Sequence, residues 1–296
     1  MKNNNVLYHL LAIFVVAVWG VTFVNSKVLL HNGMTELEIF FVRFVLAYFC
    51  IWTIAPRKLW SNSWKDELIM VVLGITGGSL YFIAENFAVG KTYVNNVSFI
   101  VSTSPVLTIL IAASLFKEAK ANARMIVGSL IALLGVAAII FNGQFVMHLS
   151  PIGDLLALSA SICWAIYSLL IRGISARYNA TFITRKVFFY GVLTSIPMFI
   201  FYPWQFPFKD FLKMEVWGNI FFLSVIAAFL CYVLWSYVIN KLGALKTSNY
   251  VYLSPITTVI ASAIILDEKM TLMSYIGSAL ILIGVYWANS QKSCDW

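Results

Sequence analysis

The stretch VYLSPITTVIASAIILDEK, residues 251–269, decides the fold because nearly the same phrase occurs earlier in the chain. Residues 102–118 read STSPVLTILIAASLFKE. Both copies place a Ser-Pro pair ahead of a long apolar run, and an acidic residue follows each run within two positions. A proline inside an apolar run kinks a helix. Its recurrence in the same setting therefore predicts two related, kinked helices in a duplicated chain.

The composition is typical of a membrane protein rather than of a water-soluble one. Of the 296 residues, 61% are hydrophobic and 11% are charged, whereas soluble domains average about 25% charged residues. A soluble fold of this size cannot hide so much apolar surface, so we predict an all-α polytopic membrane protein. The net charge of +8 comes from basic residues that punctuate apolar runs. Because they form no patch, we predict no nucleic-acid partner.

Ten apolar runs approach the roughly 20 residues that a helix needs to cross the hydrocarbon core. The runs are continuous rather than alternating, which favours helices over a β-barrel. Short connections between them leave little room for a soluble domain. The ten predicted transmembrane helices are residues 8–28, 37–54, 68–89, 94–116, 125–141, 152–171, 182–202, 216–239, 249–266 and 272–288.

The distribution of Lys and Arg between the loops predicts the orientation. With the N-terminus inside, fourteen of these residues face the cytoplasm and four face the outside, leaving aside Lys27 and Arg43, which fall at or within spans. This asymmetry predicts a multi-pass protein of the cell inner (plasma) membrane with both termini cytoplasmic. It also accounts for the positive net charge without an anionic partner.

The two halves carry the same marks in the same order. An offset of 150 residues aligns Pro105 with Pro255, and an offset of 145 aligns Trp19 with Trp164. Each half holds five predicted spans, and an odd number inserts the second half upside down. Inverted repeats of this kind are typical of secondary transporters, although they also occur in channels. The predicted repeats are residues 1–145 and 146–296.

These motifs resemble the EamA family of the drug/metabolite transporter superfamily. The resemblance rests on VWGVTFVNSK in span one, FFVRFVLA in span two, Ser-Pro-x12-Glu in span four and Gly-Ser-x5-Gly in span five. It covers nearly the whole chain. The resemblance implies a ten-helix exporter or importer of small metabolites, often amino acids, in a bacterial inner membrane. Spans one, three, four, six, eight and nine would surround its central cavity.

The predicted cavity combines aromatic rings with small polar groups. On each proline-bearing helix, polar residues recur at helical spacing. Trp19 and Trp164 lie in the middle of their spans rather than at a membrane boundary. Such residues also serve plain helix packing, but their repetition in both halves favours a lining role. The helix kinks are predicted at Pro105 and Pro255. The predicted cavity-lining residues are Trp19, Tyr81, Asn95, Ser98, Ser102, Trp164, Tyr167, Trp235, Ser248 and Tyr252.

Glu85 and Arg43 are the carboxylate and the base that lie well inside predicted spans. Ionisable groups at that depth are costly and are usually paired or functional. Three interpretations stay open: a structural ion pair, a proton-carrying Glu85 that couples transport, and an Arg43 that meets a substrate carboxylate. Glu118 and Glu268, which close the repeated phrase, are predicted to be structural.

The sequence therefore predicts a secondary transporter, most simply an exporter of amino acids or related metabolites that works by alternating access. Other solute classes, such as a cationic drug or a nucleotide sugar, remain alternatives, as do a membrane scaffold and a membrane enzyme. The chain shows no intact catalytic or metal-binding motif, so we predict no enzyme activity, no metal and no cofactor. The predicted partners are a small-molecule solute and the lipid bilayer. The glycine-rich spans five and ten also permit a homodimer.

Overall fold

The computed structural model describes residues 2–55, 58–89, 91, 94–115, 123–141, 150–265 and 271–290. The described elements are helical. The α-helices are α1 Lys2–His31, α2 Glu36–Ile51, α3 Trp64–Gly74, α4 Leu80–Val89, α5 Val94–Val101, α6 Ser104–Leu115, α7 Ala123–Phe141, α8 Pro151–Ile174, α9 Ala180–Ser195, α10 Met198–Phe201, α11 Met214–Phe221, α12 Cys231–Leu242, α13 Ala244–Ser248, α14 Ser254–Ile265 and α15 Leu272–Asn289. Two π-helical segments, Ile75–Ser79 and Phe222–Leu230, and two 3-10 segments, Phe208–Leu212 and Asn249–Leu253, complete the set.

Five helical stretches within the described ranges are long and apolar enough to cross a membrane. Shorter apolar helices lie at Val6–Thr22, Phe99–Ser114 and Ala123–Ile139. Every predicted span overlaps helical structure, while the full count of ten crossings stays a prediction. The five long stretches are Trp64–Ala88, Pro151–Ile174, Ala180–Phe201, Met214–Leu242 and Leu272–Asn289.

Polar side chains fix where several helices begin. Thr35 caps α2 in a reciprocal arrangement, because its side chain accepts from the Glu38 amide while its own amide donates to Glu38 Oε2 at 2.7 Å. Asn179 caps α9 by accepting from the Phe182 amide at 2.9 Å. Such caps satisfy backbone donors that have no partner inside the helix.

Both Ser-Pro pairs stand at a break in the helix. In the first half α5 ends at Val101 and α6 starts at Ser104, so that Pro105 occupies the first turn of α6. In the second half a 3-10 segment ends at Leu253 and α14 starts at the Ser-Pro pair. Proline is well tolerated in a first turn, where its missing N–H costs no hydrogen bond. The carbonyl that the first break leaves free, on Val101, accepts from Ser161 Oγ of α8 at 3.4 Å.

Helices α7 and α15 are in backbone contact through their glycines. A Cβ placed on Gly128 would lie 2.6 Å from the Gly284 carbonyl oxygen, and one on Gly135 would lie 2.6 Å from that of Gly277. Only residues without a side chain allow helices to approach so closely. The repeated Gly-Ser-x5-Gly motif therefore packs these two helices together.

Two apolar clusters join the first half of the chain to the second. The larger one runs through the centre of the bundle and includes Phe44, Tyr167, Tyr232 and Trp235. The smaller one lies at one end, where Met34 of the first half meets residues such as Phe206 and Ile220 of the second. The central cluster is where the predicted aromatic residues converge.

Candidate functional site

Four helices bring the predicted aromatic residues into one cluster. Trp19 of α1 meets Trp164 of α8 edge to face, with ring centroids 5.2 Å apart, and Trp235 of α12 at 4.9 Å. Trp164 in turn lies 5.3 Å from Tyr81 of α4 and 5.1 Å from Tyr167. The two tryptophans that the repeat aligns are thus direct neighbours, and we call these five residues the aromatic cage.

Tyr232 is a central residue that sequence reasoning missed. Its ring lies 5.9 Å from Trp19 and 6.0 Å from Tyr167, and it also contacts Phe44 of α2 at 5.8 Å. Its position could have been found from spacing, because it precedes Trp235 by three residues and so shares that residue's helix face.

Two hydrogen bonds cross between the halves at matched places. Trp19 Nε1 donates to the Ala227 carbonyl at 3.0 Å, and the Tyr232 hydroxyl donates to the Gly77 carbonyl at 2.8 Å. Both acceptors lie in π-helical segments, where the local hydrogen-bonding pattern departs from the α-helix. Gly77 and Ala227 are also 150 residues apart. Each half therefore offers a π-segment carbonyl to an aromatic donor of the other half.

Two buried donors of the cage have no hydrogen-bond partner among the described residues. They are the indole Nε1 atoms of Trp164 and Trp235, whereas the Tyr167 hydroxyl lies near Ser236. Tyr167 and Trp235 are fully buried, and Trp164 is 6% exposed. Buried polar groups are normally satisfied. Two unpaired indole donors therefore lie side by side in this cluster, with ring centroids 6.2 Å apart.

Arg43 and Glu85 flank the cage and form no ion pair with each other in this structure, although such a pair is one of the three interpretations of these residues. Within the described residues the Arg43 guanidinium has no carboxylate closer than 4.0 Å, and its Nε lacks a hydrogen-bond partner. It lies over the Phe82 ring, 4.9 Å from the centroid. Glu85 instead accepts from the Tyr81 hydroxyl at 3.1 Å. Each of the two charged residues is 7% exposed.

The remaining predicted polar residues are spread more widely. Ser102, Ser248 and Tyr252 are buried, and the Tyr252 hydroxyl lies near Ser129 of α7 rather than in the cage. The Ser248 Oγ has no hydrogen-bond partner. The side chains of Asn95 and Ser98 lie outside the described part of the structure, as do Glu118 and Glu268. The described residues gather no cluster of three or more His, Cys, Asp or Glu that could hold a metal ion.

The sequence model of the EamA-like transporter family matches residues 6–141 and again residues 151–290. The chain belongs to this family. Together with the apolar helices, this membership makes the chain a multi-pass membrane protein of the transporter class.

Relatives of this EamA-family chain are named as transporters. One from Archaeoglobus fulgidus, named "Uncharacterized transporter", is 26% identical over 96% of this chain and 98% of its own length. One from Escherichia coli, named "Probable amino-acid metabolite efflux pump", is 25% identical over 93% of this chain and 92% of its own. A solved crystal structure shares the fold with a TM-score of 0.77, at 16% identity over 96% of this chain and 97% of that one.

Proposed function

We propose that this EamA-family chain is a secondary transporter that exports an amino acid or a closely related metabolite. The observation that carries the proposal is the aromatic cage. It is built from both halves around Trp19 and Trp164, and it contains donors that nothing in the described protein satisfies. A plain packing core does not need buried, unpaired donors. The cage is therefore the proposed substrate site.

The charged residues beside the cage suit a zwitterion. Arg43 and the unpaired indole donors of Trp164 and Trp235 offer several groups to a carboxylate. Glu85, held by Tyr81, offers an acceptor to an ammonium group. The rings supply the apolar wall that a hydrophobic side chain prefers. Because donors outnumber acceptors here, the site suits an amino acid better than a cationic drug.

We further propose that transport proceeds by alternating access across ten spans in two inverted repeats, with both termini in the cytoplasm of a bacterial cell. The double match of the family and the π-segment carbonyls at an offset of 150 residues support the duplication. Pro105 and Pro255 each lie in the first turn of an α-helix, at equivalent places in the two halves. An ion gradient or the solute's own gradient supplies the energy, since the sequence carries no nucleotide-binding motif.

A solute screen tests the proposal. Proteoliposomes are loaded with a pool of amino acids and related metabolites, and mass spectrometry follows which compounds leave. We expect the wild-type protein to release a few compounds selectively and Trp19→Ala to abolish that release, because Trp19 contacts Trp164 and Trp235.

Trp217→Ala is the matched control, since Trp217 is 47% exposed on α11 and lies outside the cage. It should release the same compounds as the wild-type protein. If folded wild-type protein releases none of the pool selectively, the amino-acid proposal is wrong. If Trp19→Ala and Trp217→Ala behave alike, the cage is not the substrate site.

A further inference from the structure

At the predicted outer end, one carboxylate of the first half holds a loop of the second. Glu38 Oε1 accepts from the backbone amides of Gln205 at 2.5 Å and Phe206 at 2.9 Å. Glu38 is completely buried there. Met34 and Phe206 belong to the apolar cluster that closes the same end. We call the contacts of Glu38 with Gln205 and Phe206 the outer latch.

At the predicted inner end, basic residues of the second half hold the first half. Arg185 donates to the Lys58 carbonyl, and Lys186 forms an ion pair with Glu67. Tyr190 also donates to Glu67, at 2.5 Å. We call these contacts, which join residues 58–67 to α9, the inner latch.

The two latches occupy equivalent places in the duplicated chain. Glu38 and Arg185 are 147 residues apart, and so are the loop residues Lys58 and Gln205 that they bind. This offset falls between the 145 and 150 that align the sequence repeats. Each latch therefore joins the start of a repeat's second span to the loop after the second span of the other repeat. Their chemistry is opposite: a carboxylate binds amides at one end, and a guanidinium binds a carbonyl at the other.

We propose that the two latches oppose each other. Together they set the ratio of outward-open to inward-open molecules in the absence of solute. The outer latch holds the outer end of the transport path closed, and the inner latch holds the inner end closed. Opening one end breaks its own latch while the other stays intact, because each latch joins the halves at one end only. Weakening one latch therefore shifts the population towards opening at that end. This inference rests on the proposed alternating access.

Distances between spin labels measure the ratio of outer to inner opening directly, without a transport assay. With the four native cysteines replaced by serine, one label pair at exposed positions reports the outer end and another reports the inner end. Pulsed electron paramagnetic resonance on the full chain in lipid nanodiscs gives the population of each distance. The outer pair is His31→Cys with Lys209→Cys, and the inner pair is Lys65→Cys with Ala176→Cys.

We expect Glu38→Gln to raise the population with a long outer distance at least about tenfold, since it loses charge-assisted hydrogen bonds. Arg185→Gln should raise the long inner distance by a similar factor, and Glu67→Gln should do the same. The double variant Glu38→Gln/Arg185→Gln should return the ratio of outer to inner opening close to its wild-type value. Two opposing latches predict that weakening the second latch restores the ratio of outer to inner opening that weakening the first latch disturbed.

Two matched controls carry the same chemistry within one half. Asp154 accepts from the Ser150 amide at 3.3 Å, and Arg172 donates to the Asn240 carbonyl at 2.8 Å. Asp154→Asn and Arg172→Gln should leave both distance distributions unchanged. The proposal is overturned if the controls shift the distances as the latch variants do, if the latch variants shift nothing, or if the double variant keeps the outer-to-inner ratio of either single variant. Because the labels report opening without any solute, failure of the export proposal alone would leave these distance shifts in place.

Discussion

Replacing Arg43 by glutamine should remove the preference of the site for a carboxylate. Arg43 is 7% exposed, stacks on Phe82 and leaves its Nε without a partner. A hydrogen bond to a charged group contributes about 1.5–3 kcal/mol, which corresponds to about 10- to 150-fold in affinity. Wild-type protein should therefore bind phenylalanine about 10- to 150-fold more tightly than phenylalaninamide, which keeps the ammonium group but lacks the carboxylate.

Competition against a transported, labelled amino acid in proteoliposomes measures both inhibition constants. In Arg43→Gln the ratio of the two constants should fall to near one, mainly through weaker binding of phenylalanine. Arg43→Lys should retain part of the ratio, because lysine keeps the charge but lacks the planar, two-pronged geometry of the guanidinium. If the ratio in Arg43→Gln equals that of the wild-type protein, Arg43 does not read the carboxylate and the reasoning from its unpaired state fails.

Three further changes test other parts of the site and the fold. Glu85→Gln should weaken competition by phenylalanine at least about tenfold. Competition by 3-phenylpropionate, which has no amine, should stay unaffected. An equal loss for both compounds would contradict a contact between Glu85 and the ammonium group. Gly284→Ala should lower the melting temperature, since its Cβ would stand 2.4 Å from a backbone nitrogen of α7, whereas Gly218→Ala, with nothing within 4 Å, should not. Tyr232→Phe should leave the Gly77 carbonyl unpaired and cost about 1–3 kcal/mol in the free energy of unfolding, measured by thermal or chemical denaturation; an unchanged value would mean that water replaces the hydroxyl.

Periodicity and repetition predicted the broad outline because both depend on local sequence. The apolar runs predicted helices, and the Ser-Pro pairs predicted the places where two of them are interrupted. The alignment of Trp19 with Trp164 pointed to residues that the fold brings to 5.2 Å. These features follow from residue type and spacing, which a single sequence displays.

The finer geometry of the site depends on contacts between distant residues, and spacing could not supply it. The π-helical segments arise where the Gly77 and Ala227 carbonyls meet donors of the other half. Glu85 bonds to Tyr81 rather than to Arg43, a choice that only the packed arrangement decides. The Glu38 contact with Gln205 joins residues 167 positions apart. Charge patterns alone do not predict such a pairing.

Counterflow tests the central claim most directly. Proteoliposomes preloaded with an unlabelled amino acid that the screen identifies are diluted into buffer containing a trace of the same amino acid in labelled form. A carrier that exposes one site alternately to the two sides exchanges the solutes, so the account predicts a transient accumulation of label above its outside concentration, absent in Trp19→Ala. Label that only rises to equal its outside concentration would indicate a channel, and no uptake by folded protein would contradict the assignment of the aromatic cage as a transport site.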